Sequence, residues 1–146
     1  MNVILPADLK LRKENKKMTE KDIERELEER CKSVRDYLQE IYDFMQTDEY
    51  YEVEDYYEDE RTLEYYFSDV YDVEYFVGDN GEFRGVELLV AYGGPNIVIK
   101  VHSTYASYVK GGWESSKAEV YLPTDLADMV LDYYEDKFFW DKQLWK

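Results

Sequence analysis

The sequence predicts an α+β fold: a long N-terminal helix, a short acidic helix, an antiparallel meander of four to five strands and a C-terminal helix. Three observations carry that expectation. Apolar residues recur every three or four positions from Ile23 to Met45, the period of one helix face. From Val70 to Leu122 the period falls to two, and turn residues separate the short apolar runs. After Pro123 the helical period returns. A length of 146 residues suits one domain with a single modest core.

Residues 1–18 read as a basic, flexible arm ahead of a single domain spanning 19–146. Lys10, Arg12, Lys13, Lys16 and Lys17 outweigh Asp8 and Glu14 there. Thr19 opens the first helix, with Asp22 placed as the reciprocal partner of a capping box. Ile23, Leu27, Cys31, Val34, Leu38, Ile41 and Met45 form its apolar stripe. A helix over 20–46 reaches about 40 Å, so part of that stripe is a candidate face for a homodimer.

A short helix is expected over 60–68, with Leu63, Tyr66 and Phe67 turned inward and an irregular loop before it. The first strand starts at Val70 and ends at the turn Asp79-Asn80-Gly81. A second runs through Val86, Leu88 and Val90 to Tyr92, followed by the turn Gly93-Gly94-Pro95-Asn96. The third covers Ile97 to Ser103, and the fourth covers Tyr105 to Lys110, broken by Gly111-Gly112. Lys117 to Leu122 makes the fifth. Pro123 then stops the sheet and Thr124 caps a helix that buries Leu126, Met129, Val130, Tyr133 and Tyr134. Phe138, Phe139, Trp140 and Trp145 form an aromatic tail expected to pack down onto the core.

Charge decides among function classes. Thirty-four Asp and Glu against eighteen Lys and Arg give −16 at neutral pH. Such a field repels nucleic acid and anionic membranes and attracts basic protein surfaces. A lone Cys31 builds neither a disulfide framework nor a zinc site, and no apolar run approaches the length of a membrane span. The reading is a cytoplasmic protein without cofactor or metal.

Catalytic motifs are absent in recognisable form. His102 is the single histidine, lies in a strand, and has no nucleophile set beside it by sequence. Gly93-Gly94-Pro95-Asn96 joins two strands and lacks the lysine and following helix of a phosphate loop. Asp79-Asn80-Gly81-Glu82 holds only fragments of a calcium loop. A carboxylate-dependent hydrolase is a third-ranked reading, since any two of so many acids could serve as a pair.

Residues 47–79 concentrate the charge, with thirteen acids against Arg61 alone and eight interleaved tyrosines. Carboxylates at that density can enter a groove built for phosphates, while tyrosine rings stack on guanidinium planes. The candidate partner-binding residues are Asp48, Glu49, Tyr50, Tyr51, Glu52, Glu54, Asp55, Tyr56, Tyr57, Glu58, Asp59 and Glu60. The partner they imply is a basic protein surface. An immunity or antitoxin-like protein that neutralises a basic toxin is the alternative.

The segment from Asp69 to Asp136 resembles small acidic proteins carried by phages and mobile elements of gut bacteria. Asp72-Val73-Glu74-Tyr75, Ala91-Tyr92-Gly93-Gly94-Pro95-Asn96-Ile97, Gly112-Trp113 and Ala118 through Pro123 carry the resemblance, with Asp125 and Asp128 on the helix beyond. Lys100 and the single Trp113 depart from the family pattern, which has an aspartate and paired aromatics there. With the acidic stretch, the resemblance implies an anti-CRISPR role in the host bacterial cell. The protein would block a Cas9–guide RNA complex by mimicking DNA.

Overall fold

A computed structural model of the protein describes residues 19–144. The basic arm read over 1–18, and Trp145 of the aromatic tail, lie outside the described residues. The described elements are α1 (Glu20–Met45), a 3-10 helix (Asp48–Glu52), α2 (Leu63–Phe67), strands β1 (Asp72–Val77), β2 (Phe83–Ala91), β3 (Asn96–His102), β4 (Ser107–Trp113) and β5 (Ser116–Leu122), and α3 (Thr124–Leu144). The α+β class, the order of helices and strands and the antiparallel meander are as the sequence predicts.

α1 begins at the expected capping box: Asp22 donates its N–H to the Thr19 hydroxyl, and the Thr19 N–H reaches back to the Asp22 carboxylate, both at 3.2 Å. Its stripe from Ile23 to Ile41 is buried, joined by Phe44, whereas Met45 is only half-buried. The covering surface is β4 and β5. Intramolecular packing therefore uses the stripe that sequence length had offered to a second copy.

The five strands pair in chain order, each antiparallel to the next. Register explains the layers. Val73, Leu88, Ile99, Val109 and Val120 stand opposite one another across the sheet and all face the helices. One position along, Glu74, Glu87, Lys100, Tyr108 and Tyr121 form a row on the other face. Period-two alternation has sorted the side chains into a core layer and an open layer. α3 lies over β2 and β3 beside α1, so both long helices cover the same face.

Three expectations change. Gly111 and Gly112 do not break β4 but lie within it, paired with Ala118 and Lys117. A Cβ on Gly111 would stand 3.1 Å from the Cys31 sulfur and 3.6 Å from Leu27, so the glycine admits α1 close to the sheet. Of the described aromatic tail only Phe138 folds down, because α3 continues through it. Phe138 falls on the buried face with Tyr134, while Phe139 and Trp140 rotate away by about 100° per residue and stay 60% and 71% exposed. The short helix shrinks to Leu63–Phe67 behind an N-cap at Thr62, with Tyr66 only half-buried.

The turns match their residues closely. Gly81 and Gly93 take φ of 81° and 93°. The β1–β2 turn closes through Gly78 and Glu82, and Lys142 of α3 donates to the Gly81 carbonyl at 2.8 Å.

A candidate acidic interface

The chain leaves α1 after Met45, just past the buried Phe44, and the Thr47 hydroxyl donates to the Phe44 carbonyl. The stretch beyond Thr47 is more ordered than the irregular loop expected there. Asp48–Glu52 forms one 3-10 helix, and the Tyr50 ring packs edge-on against Phe44 and Tyr56. Tyr56 donates its hydroxyl to the Tyr50 carbonyl at 3.0 Å. Two aspartates then make local turns: Asp55 accepts from the Tyr57 N–H and Asp59 from the Arg61 N–H, each at 3.0 Å. The buried Thr62 hydroxyl lies within hydrogen-bond distance of the Tyr56 and Asp59 carbonyls and accepts the Tyr65 N–H.

Arg61 closes the loop. Its guanidinium binds both oxygens of Asp59, at 3.0 and 2.8 Å, and meets Glu49 at 3.3 Å. It also sits 4.1 Å above the Phe44 ring. The beginning and end of the loop are thereby tied to one cation over one aromatic floor. Hydrogen bonds from the Arg61 side chain and N–H hold the Asp59 carboxyl down to about 2.

The twelve residues singled out from sequence therefore divide. Asp48, Glu52, Glu54, Asp55, Glu58 and Glu60 point outward as exposed carboxylates. Glu49 and Asp59 are engaged by Arg61. Tyr51 and Tyr57 are exposed, whereas Tyr50 and Tyr56 are half-buried scaffolding. The acids from Glu49 to Glu60 surround one shallow depression, with Val53 and Arg61 in its lining. No three acidic, histidine or cysteine side chains among the described residues converge as a metal cage.

A second row of acids lies on α3, of which the sequence reading names only Asp125 and Asp128 and only as part of a resemblance. Asp125, Asp128, Asp132 and Asp136 recur at spacings of three and four along α3 and are all exposed. They line a groove that also contains Glu64 of α2 and the end of α1. Their spacing was visible in the sequence, but the adjacent apolar stripe of the same helix drew the reading.

The open sheet face is chemically different. Lys110 pairs with Glu119 at 3.5 Å, and Lys100 lies 5.6 Å from the Phe76 ring centre. His102 is placed here, stacked on Tyr105 at 4.5 Å and accepting from the Thr104 N–H. Burial, then Arg84 and Lys100, lower its proton affinity. Cys31 lies on the opposite side, fully buried against the sheet.

No helix among the described residues is long and apolar enough to cross a membrane. In comparisons with known proteins, no family model, curated protein or solved structure matches the chain.

Proposed function

We propose that this protein inhibits a host defence nuclease by occupying the basic groove that normally holds nucleic acid. The observation that supports this reading most is the loop 48–60: six exposed carboxylates on a backbone held by Arg61 and Thr62, five of them around one depression. Acids on an ordered loop keep a fixed pattern, and a fixed pattern can match cations spaced for phosphates. Tyr51 and Tyr57 add exposed rings on which arginines can stack. The resemblance to phage-borne acidic proteins favours a Cas9-type complex in the host cytoplasm, whose arginines read the short motif flanking a DNA target. The action is binding, with no bond made or broken.

Displacement of motif-bearing duplex from a Cas9–guide RNA complex, followed across a salt series, tests the proposal. Displacement should weaken steeply as salt rises. Charge reversal of Glu52, Glu54, Asp55 and Glu58 to Lys should abolish it. Displacement that survives those reversals would overturn the assignment of the loop, and none at low salt would remove this nuclease as the target.

The alternative, neutralisation of a basic toxin, gains from the exposed rings of Tyr51, Tyr57 and Trp140, which a single cognate partner could bury as anchors. Co-purification of one tightly held protein with no nucleic-acid-binding activity would favour it.

A further inference from the structure

We propose that the groove between the end of α1, α2 and α3 is a docking channel for a basic amphipathic helix of the partner protein. This deepens the reading that the chain binds a basic protein, and rests on it, but assigns a different surface and a specific occupant. The groove measures about 400 Å³. Its floor is apolar: among its lining residues Leu63 and Met129 are buried and Met45 is half-buried, with the rings of Tyr42 and Tyr133 beside them in the lining. Two methionines give that floor an adaptable surface suited to packing aliphatic side chains.

The walls fix the sign of the occupant. Asp125, Asp128, Asp132 and Asp136, all exposed, form one wall over about 16 Å of helix, and Glu64 of α2 also lines the groove. Among the described residues, none of these five carboxylates has an ion-pair partner and no Lys, Arg or His lines the groove. An apolar floor distinguishes the channel from a merely solvated acidic stripe. It also distinguishes it from the depression over 48–60, whose lining is almost wholly acidic. A helix with Lys or Arg at spacings of three and four, flanking an apolar ridge, satisfies both features at once. The ridge would meet the methionines and the cations would meet the aspartate row. A second copy of this chain fits poorly, since its described surface carries the same excess of acid.

Fluorescence anisotropy with two labelled synthetic peptides tests the channel on the full-length protein. One peptide carries Leu and Lys in the amphipathic pattern; the other has the same composition scrambled. The patterned peptide should bind at least ten-fold more tightly. Asp128→Asn with Asp132→Asn should remove that preference, while Glu74→Gln with Glu87→Gln, on the open sheet face, should leave it intact. In the wild-type protein, the methyl resonances of Met45 and Met129 should shift on adding the patterned peptide. Equal binding of both peptides, or still methionine resonances, would overturn the proposal. A full-length variant with Lys10, Arg12, Lys13, Lys16 and Lys17 changed to Gln separates one further outcome. Ten-fold tighter peptide binding by that variant would assign the groove to the chain's own basic segment and overturn the external helix. Because no nuclease enters this experiment, its failure leaves the DNA-displacement result standing, and the reverse holds.

Discussion

Arg61 grips both carboxylate oxygens of Asp59 from two residues away, and the same guanidinium rests on the ring of Phe44. This single cation organises a loop that otherwise carries only negative charge. Arg61→Ala should speed hydrogen exchange of the backbone amides from Tyr50 to Thr62 and leave the interior of α1 protected. Unchanged exchange in the loop would mean that Tyr50 and Thr62 hold it unaided.

The same pair sets a pH dependence. Asp59 has its proton affinity depressed to about 2 in the folded protein, whereas an unfolded aspartate titrates at ~3.9. The stabilisation is therefore fully present above the unfolded value and lost as pH falls through about 2. Thermal midpoints of wild type and Asp59→Asn should differ most near neutral pH and converge as pH approaches the folded value. A constant difference across that window would show that the charge of Asp59 is not the stabilising feature.

Thr62 should matter more to stability than its size suggests. Its hydroxyl is buried among the Tyr56 and Asp59 carbonyls and the Tyr65 N–H. Thr62→Val keeps the shape and strands those groups, a loss of about 1–3 kcal/mol by denaturant unfolding. Thr62→Ser should recover most of it.

Gly111 gives a second stability test, at the contact between helix and sheet. Gly111→Val should destabilise by roughly 1–3 kcal/mol, because its side chain must enter the space held by Cys31 and Leu27. Combining Gly111→Ala with Cys31→Ala should give a positive coupling relative to the single changes. Strict additivity would show that the sulfur is not the obstacle.

The thiol of Cys31 reports on opening of the fold. Burial raises its proton affinity to about 11 and leaves no surface for a reagent. Modification by a thiol-reactive disulfide at pH 8 should proceed only as fast as α1 lifts from the sheet, and should become immediate in denaturant.

Much of this architecture was legible in the residues. The Thr19–Asp22 box, the stripe from Ile23 and the alternation through Val73, Leu88, Ile99, Val109 and Val120 are local rules that tertiary contacts reinforce. The failures are non-local. Gly111 looks like a breaker until α1 is laid over it, and Phe139 looks buried until the helical phase set by Tyr134 and Phe138 turns it outward. The acidic loop was legible as composition but not as shape. Which tyrosine faces Phe44, and that Arg61 engages Glu49 as well as its neighbour Asp59, depend on how the loop closes on itself. The aspartate row on α3 forms a groove only once α2 is placed beside it.

The order of packing also bears on synthesis. Among the described elements α1 is translated before the others, yet the strands that cover it, β4 and β5, are the last two strands to follow. At ~5–20 residues per second, the apolar side of the nascent helix waits several seconds for its cover. During that interval residues 47–79 follow it, and their thirteen acids against Arg61 give the unfinished chain a charge that repels other nascent copies. The charge of that stretch thus acts while the apolar stripe is still uncovered, keeping apart chains whose cores are not yet closed.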